Sequence, residues 1–112
     1  MTEEYVVYTL INADLKMSNG KIVSQSQHAI QKMLQSLNKN STCYTKWKYN
    51  NFAKVCLKSS QSTIESLTEL YSNCYAVHDA GKTQVPSGSL TCIIFEPMLK
   101  NSMKEIKELK LL

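Results

Sequence analysis

The sequence predicts an α/β domain in which helices cover both faces of a small mixed sheet. Apolar runs of strand length recur at residues 5–11, 52–58, 75–77 and 90–95. Segments with helical spacing of apolar residues separate the first three runs, and only a loop separates the last two. The resulting order is β-α-β-α-β-β-α, the alternation by which an α/β layer architecture shows itself in a sequence. At 112 residues the chain is one domain, with length for one core and none for a second.

Residues 5–11 are nearly continuous in hydrophobicity, as a central strand covered on both faces requires. A loop follows, in which Ser18 or Asn19 can cap the next helix, predicted over 20–37. At 100° per residue, Ile22, Ser26, Ala29, Ile30, Met33, Leu34 and Leu37 share one face, suited to pack on the sheet. Lys21, Gln25, His28 and Lys32 form a separate polar stripe at spacings of four and three. Lys21 falls in the first turn, where the helix dipole favours an anion, so a lysine there suggests a task rather than stabilisation.

Residues 38–51 are polar and irregular, with Tyr44, Trp47 and Tyr49 expected either as a short helical turn packing on the main helix or as a stack on bases. After the second strand a helix is expected over 62–72, with Ile64, Leu67, Leu70 and Tyr71 buried. Ser62 and Glu65 have the spacing of a capping box. The third and fourth strands flank a loop from Asp79 to Ser89, and a final helix is expected over 98–109.

That loop holds a carboxylate, an ammonium, a hydroxyl and a carboxamide in Asp79, Lys82, Thr83 and Gln84, while Gly81, Pro86 and Gly88 break regular structure. A loop between two strands can present reactive groups rigidly, though an ordinary polar hairpin has the same composition. Gly81-Lys82-Thr83 is not the end of a P-loop. Position 76 is alanine where that motif needs glycine, and Pro86 stands where its helix would begin.

All thirteen basic residues are lysines. Between Asp14 and Glu65 no carboxylate occurs, while Lys16, Lys21, Lys32, Lys39, Lys46, Lys48, Lys54 and Lys58 do. Such asymmetry is the expected footprint of a polyanionic partner, with a lysine-rich solvated surface as the alternative, and lysine without arginine favours phosphate contact over the reading of base edges. Cys43, Cys56, Cys74 and Cys92 form no metal-binding pair; three of them fall in or beside apolar stretches and read as small buried apolar residues in a reducing compartment. No run approaches the ~20 apolar residues of a membrane span. The opening Thr2-Glu3-Glu4 lacks a secretory layout, so a cytoplasmic location is expected.

Three stretches carry a family resemblance. Asp14-Leu15-Lys16-Met17 with Gly20-Lys21-Ile22, Gln25 and His28 resembles the opening motif of the peptidyl-tRNA hydrolase 2 family, the archaeal and eukaryotic type. The loop from Asp79 to Ser89 is similar to that family's second motif almost position for position, and Leu109-Lys110-Leu111-Leu112 to its usual end. The resemblance implies a three-layer α/β/α fold on a four-stranded mixed sheet. It also implies hydrolysis of the ester joining a peptide to the terminal ribose of tRNA, with no metal or cofactor. The family's implicated lysine, aspartate and threonine fall on Lys21, Asp79 and Thr83. Lys16, Gln25, His28, Lys82 and Gln84 lie in the same motifs and are expected to contact substrate or tRNA.

The chain departs from the family in having Asn12 where an arginine is usual and Ser18-Asn19 where Gly-Lys is usual. It is also shorter than usual between Tyr71 and Asp79. In the expected chemistry Asp79 orients or deprotonates water, Thr83 hydrogen-bonds substrate or Asp79, and Lys21 faces the oxyanion or terminal phosphate. A Ser-His-Asp triad is discounted, because no G-x-S-x-G elbow is present. The same fold could also serve as a non-catalytic adaptor with a protein partner, or as an RNA-binding module, and a homodimer stays open.

Overall fold

The computed structural model describes residues 3–80 and 85–112. These form five strands, β1 (Tyr5–Asn12), β2 (Lys54–Ser59), β3 (Cys74–His78), β4 (Leu90–Phe95) and β5 (Met98–Leu99). They also form four α-helices, α1 (Asn19–Ser36), α2 (Thr42–Tyr49), α3 (Gln61–Leu70) and α4 (Lys104–Lys107). The sheet order is β2-β1-β4-β3, with β1 parallel to β2 and the other two pairings antiparallel. Every residue of β1 after Tyr5 is buried, as its unbroken hydrophobicity requires.

Alternation along the strands divides the core in two. Val7, Ile11, Val77, Cys92 and Ile94 face Ala29, Met33 and Leu37 on the α1 side, where Trp47 of α2 completes the layer. Val6, Tyr8, Leu10, Ile93 and Phe95 face Ile64 and Leu67 of α3 and Ile106 of α4. The fold is thus three-layered, α/β/α, on a mixed sheet. Among the described residues no helix is long and apolar enough to cross a membrane.

Hydroxyl caps start the longer helices. Ser18 Oγ accepts the N–H of Lys21 (3.3 Å), and Ser41 Oγ that of Tyr44 (3.1 Å). Trp47 is a core anchor rather than a stacking platform, since it is 1% exposed and its indole N–H donates to the Ala53 carbonyl at 2.8 Å. Tyr49 is 83% exposed.

Three expectations are corrected. The cap of α3 is Ser60, whose Oγ accepts the Thr63 N–H (3.2 Å), so Ser62 and Glu65 form no capping box. The Asp14 carboxylate takes the N–H of Gln61 (2.8 Å) and fixes the first turn ahead of the predicted start. The helix ends at Leu70, which is 70% exposed instead of buried. The predicted final helix is mostly something else. Met98 and Leu99 pair with Val6 and Tyr5 as β5, the chain turns at Asn101 (φ 61°), and α4 spans only 104–107. Edge hydrogen bonds account for it: the Lys100 N–H reaches the Glu4 carbonyl (2.8 Å) and the Asn101 N–H reaches the Tyr8 hydroxyl (3.1 Å).

Candidate active site

The first turn of α1 and the end of β3 meet at one edge of the sheet. The Ser18 cap fixes where α1 begins and so sets Lys21 in its first turn. On the other side, Asp79 directly follows β3. Its N–H donates to the Ser89 carbonyl (2.8 Å), and its carbonyl accepts the Gly88 N–H (2.8 Å). Gly88 sits at φ 84°, a conformation that glycine adopts without steric cost. The two backbones therefore remain tied past the strand ends, and Asp79 is held on a short hydrogen-bonded ladder.

Lys21 Nζ and Asp79 Oδ1 form an ion pair between side chains only 9% and 4% exposed. Residues 58 positions apart are brought together almost out of water. Thr83, Lys82 and Gln84 lie outside the described residues. Lys16 and His28 are exposed, Lys16 after the turn that follows β1 and His28 two turns beyond Lys21 on α1. Gln25 leaves the polar stripe expected for it: it is 5% exposed and faces the sheet.

A bulge in β4 accounts for what Gln25 meets. Cys74 to Val77 pair in step with Phe95 to Cys92, but His78 pairs with Leu90, so Thr91 is the extra residue. A bulge of this kind places two consecutive side chains on one face. Cys92 Sγ lies 3.6 Å from the Gln25 carbonyl on the α1 side. The Thr91 hydroxyl, on that same side, shares its proton between Gln25 Oε1 (2.7 Å) and the Val77 carbonyl (3.1 Å). Leu90 is turned instead to the α3 side. The helix bearing Lys21 and the strand leading to Asp79 are thus joined through one buried hydroxyl.

The sequence alone did not single out Thr91, which reads there as an ordinary strand residue. Cys92 sits beside it, but burial pushes its thiol up to about 12, so it is protonated near neutrality and unsuited to nucleophilic attack. Among the described residues no group of three or more His, Cys, Asp or Glu could hold a metal ion. The arrangement can offer a cation to developing negative charge and a carboxylate to a water molecule, side by side at the mouth of a loop.

Known proteins resemble the chain along nearly its whole length. A family model described as "Peptidyl-tRNA hydrolase PTH2" matches residues 5–112. The chain is 35% identical to a peptidyl-tRNA hydrolase of Methanococcus maripaludis strain C7, with all of both chains covered. It is 31% identical to one from Methanocaldococcus jannaschii, covering 92% of this chain and 96% of that one. A protein named probable peptidyl-tRNA hydrolase 2 from Dictyostelium discoideum is 34% identical over 91% of this chain and 52% of its own length.

Proposed function

The chain belongs to the peptidyl-tRNA hydrolase PTH2 family, and we propose that it cleaves the ester between a peptide, or an N-blocked amino acid, and the terminal ribose of tRNA at the Lys21–Asp79 pair. The observation that carries the assignment is that pair, a buried cation and carboxylate at the end of a hydrogen-bonded strand ladder.

Water attacks the ester carbonyl carbon while the Asp79 carboxylate takes its proton. The carbonyl oxygen becomes an oxyanion. An ammonium has three N–H bonds, so Lys21 can hold Asp79 and donate to that oxyanion at once. Collapse of the tetrahedral intermediate breaks the bond to the ribose oxygen, and the proton held by Asp79 passes to that leaving oxygen. The products are a tRNA with a free hydroxyl and a peptide carboxylic acid, which loses its remaining proton to solvent water to become the carboxylate. Thr83 is assigned to hydrogen-bond the substrate or Asp79, as its place in the second motif implies. Lys16, His28, Lys82 and Gln84 are assigned to substrate or tRNA contact. Gln25, whose carboxamide is taken by Thr91, is assigned to holding α1 in place. Electrostatic stabilisation by Lys21 supplies what a Lewis-acidic metal would, so hydrolysis is assigned as metal-independent.

The test is release of labelled N-blocked amino acid from tRNA by purified protein, with and without a chelator, beside Asp79→Asn. Turnover that survives the chelator and falls at least ~100-fold in the variant is expected. Tight RNA binding by folded wild-type protein without any turnover would favour an RNA-binding or adaptor role on the same fold.

A further inference from the structure

The end of β1 carries a buried carboxamide that the chemistry above does not use. Asn12 is 1% exposed, and its carboxamide makes three hydrogen bonds to neighbouring elements. Its Oδ1 accepts the N–H of Asp14 (3.0 Å), closing the turn after β1. Its Nδ2 donates to the Leu90 carbonyl (2.9 Å) and to Oε1 of Gln61, the first residue of α3. One side chain therefore ties together the end of β1, the start of α3 and the start of β4.

The register shows what this joint replaces. β1 and β4 pair through Thr9↔Ile94, Leu10↔Ile93 and Ile11↔Cys92, and the next pair in step would be Asn12 with Thr91. Thr91 is the bulged residue, and the ladder stops there. Beyond the bulge, the Asn12 side chain binds the Leu90 backbone from the β1 side. The next residue back along the chain is Ser89, whose carbonyl accepts the Asp79 N–H (2.8 Å).

We infer that Asn12 is a positioning residue, fixing the start of β4 and, through the Ser89 backbone, the place of Asp79 against Lys21. The inference rests on the hydrolase reading for its kinetic consequence, but not for its structural one. Asn12 stands where the resembled family usually carries an arginine. Being buried, with both Nδ2 protons and Oδ1 bonded to the scaffold, it acts here as a joint and not as a contact for tRNA.

The experiment compares wild type, Asn12→Ala, Asn12→Asp and the core control Ile64→Val by steady-state hydrolysis of N-blocked aminoacyl-tRNA, well below each melting temperature. Backbone amide exchange at Asp79 is followed in parallel. Asn12→Asp keeps the size and the acceptor for Asp14 but removes the donor to Leu90, so it keeps the question open if the alanine variant does not fold. Both Asn12 variants are expected to lose about tenfold in kcat, as small misplacements of a catalytic group do. KM is expected to stay within about twofold, and the Asp79 amide to exchange faster. Ile64→Val is expected to lower stability with kcat intact. Unchanged kcat in folded Asn12 variants, or a loss confined to KM, would overturn the inference. If wild type shows no turnover the hydrolase reading fails instead, and an Asp79 amide equally protected in wild type and variants would then overturn the positioning role by itself.

Discussion

Lys21 and Asp79 show at single-residue scale what a site demands of a fold. Moving either charge out of water costs several kcal/mol, and the ion pair offsets that cost only while both partners are present. Removing one takes from the other its ion-pair partner while that charge is still buried. Lys21→Met is therefore expected to destabilise the protein by about 3–5 kcal/mol, while the double substitution Lys21→Met with Asp79→Leu should be near wild type or more stable. Urea denaturation of the two singles and the double checks this, and a double that is merely the sum of the singles would remove the pair from the account. Activity should be lost in all three. Both residues were legible in the sequence, because a first-turn lysine is unusual and Asp79 opens a loop with a recognisable order of groups. The inward turn of Gln25 was not. A helical wheel ranks faces relative to one another, but the place where α1 lies over β3 and β4 decides which flank is covered.

Among elements, the bulge in β4 has the widest reach. It places Thr91 toward α1 and Leu90 toward α3, and it ends the pairing with β1 that Asn12 then continues. Thr91→Val keeps the shape but removes the hydroxyl from between Gln25 and the Val77 carbonyl, leaving two buried polar groups short of a partner. It is expected to cost about 1–3 kcal/mol in denaturant unfolding, with Thr91→Ser close to wild type. A valine variant as stable as wild type would mean that the hydroxyl does not join α1 to β3. The apolar run from Leu90 to Phe95 predicted β4 itself and missed the bulge, since one inserted residue leaves that run intact. The end of the chain was misread for a related reason. The Lys/Glu alternation after Met98 is compatible with helix, but unpaired backbone at the start of β1 captured Met98 and Leu99 first. Helix caps divided in the same way: Ser18 was readable, whereas the start of α3 depends on Asp14, a residue remote in sequence.

For the whole molecule, the lysine-rich first half becomes a property of surface. Of the eight lysines between Asp14 and Glu65, Lys16, Lys32, Lys39, Lys48, Lys54 and Lys58 are exposed, whereas Lys21 is drawn into the site. Exposed lysines that neutralise tRNA phosphates release counterions, and each contact adds roughly −0.7 to −0.9 to the slope of log affinity against log salt. If four to six of them engage, the slope of log(kcat/KM) for a full-length N-blocked aminoacyl-tRNA should be about −3 to −5 below saturation. The ester of the same N-blocked amino acid on a single nucleoside meets only the Lys21–Asp79 region, so its hydrolysis should depend far less on salt. Lys58→Gln or Lys48→Gln should then shallow the first slope by about one unit each and leave the second unchanged. Equal salt dependence for the two substrates would mean that the lysines are only a solvated surface and that tRNA is held through the site alone.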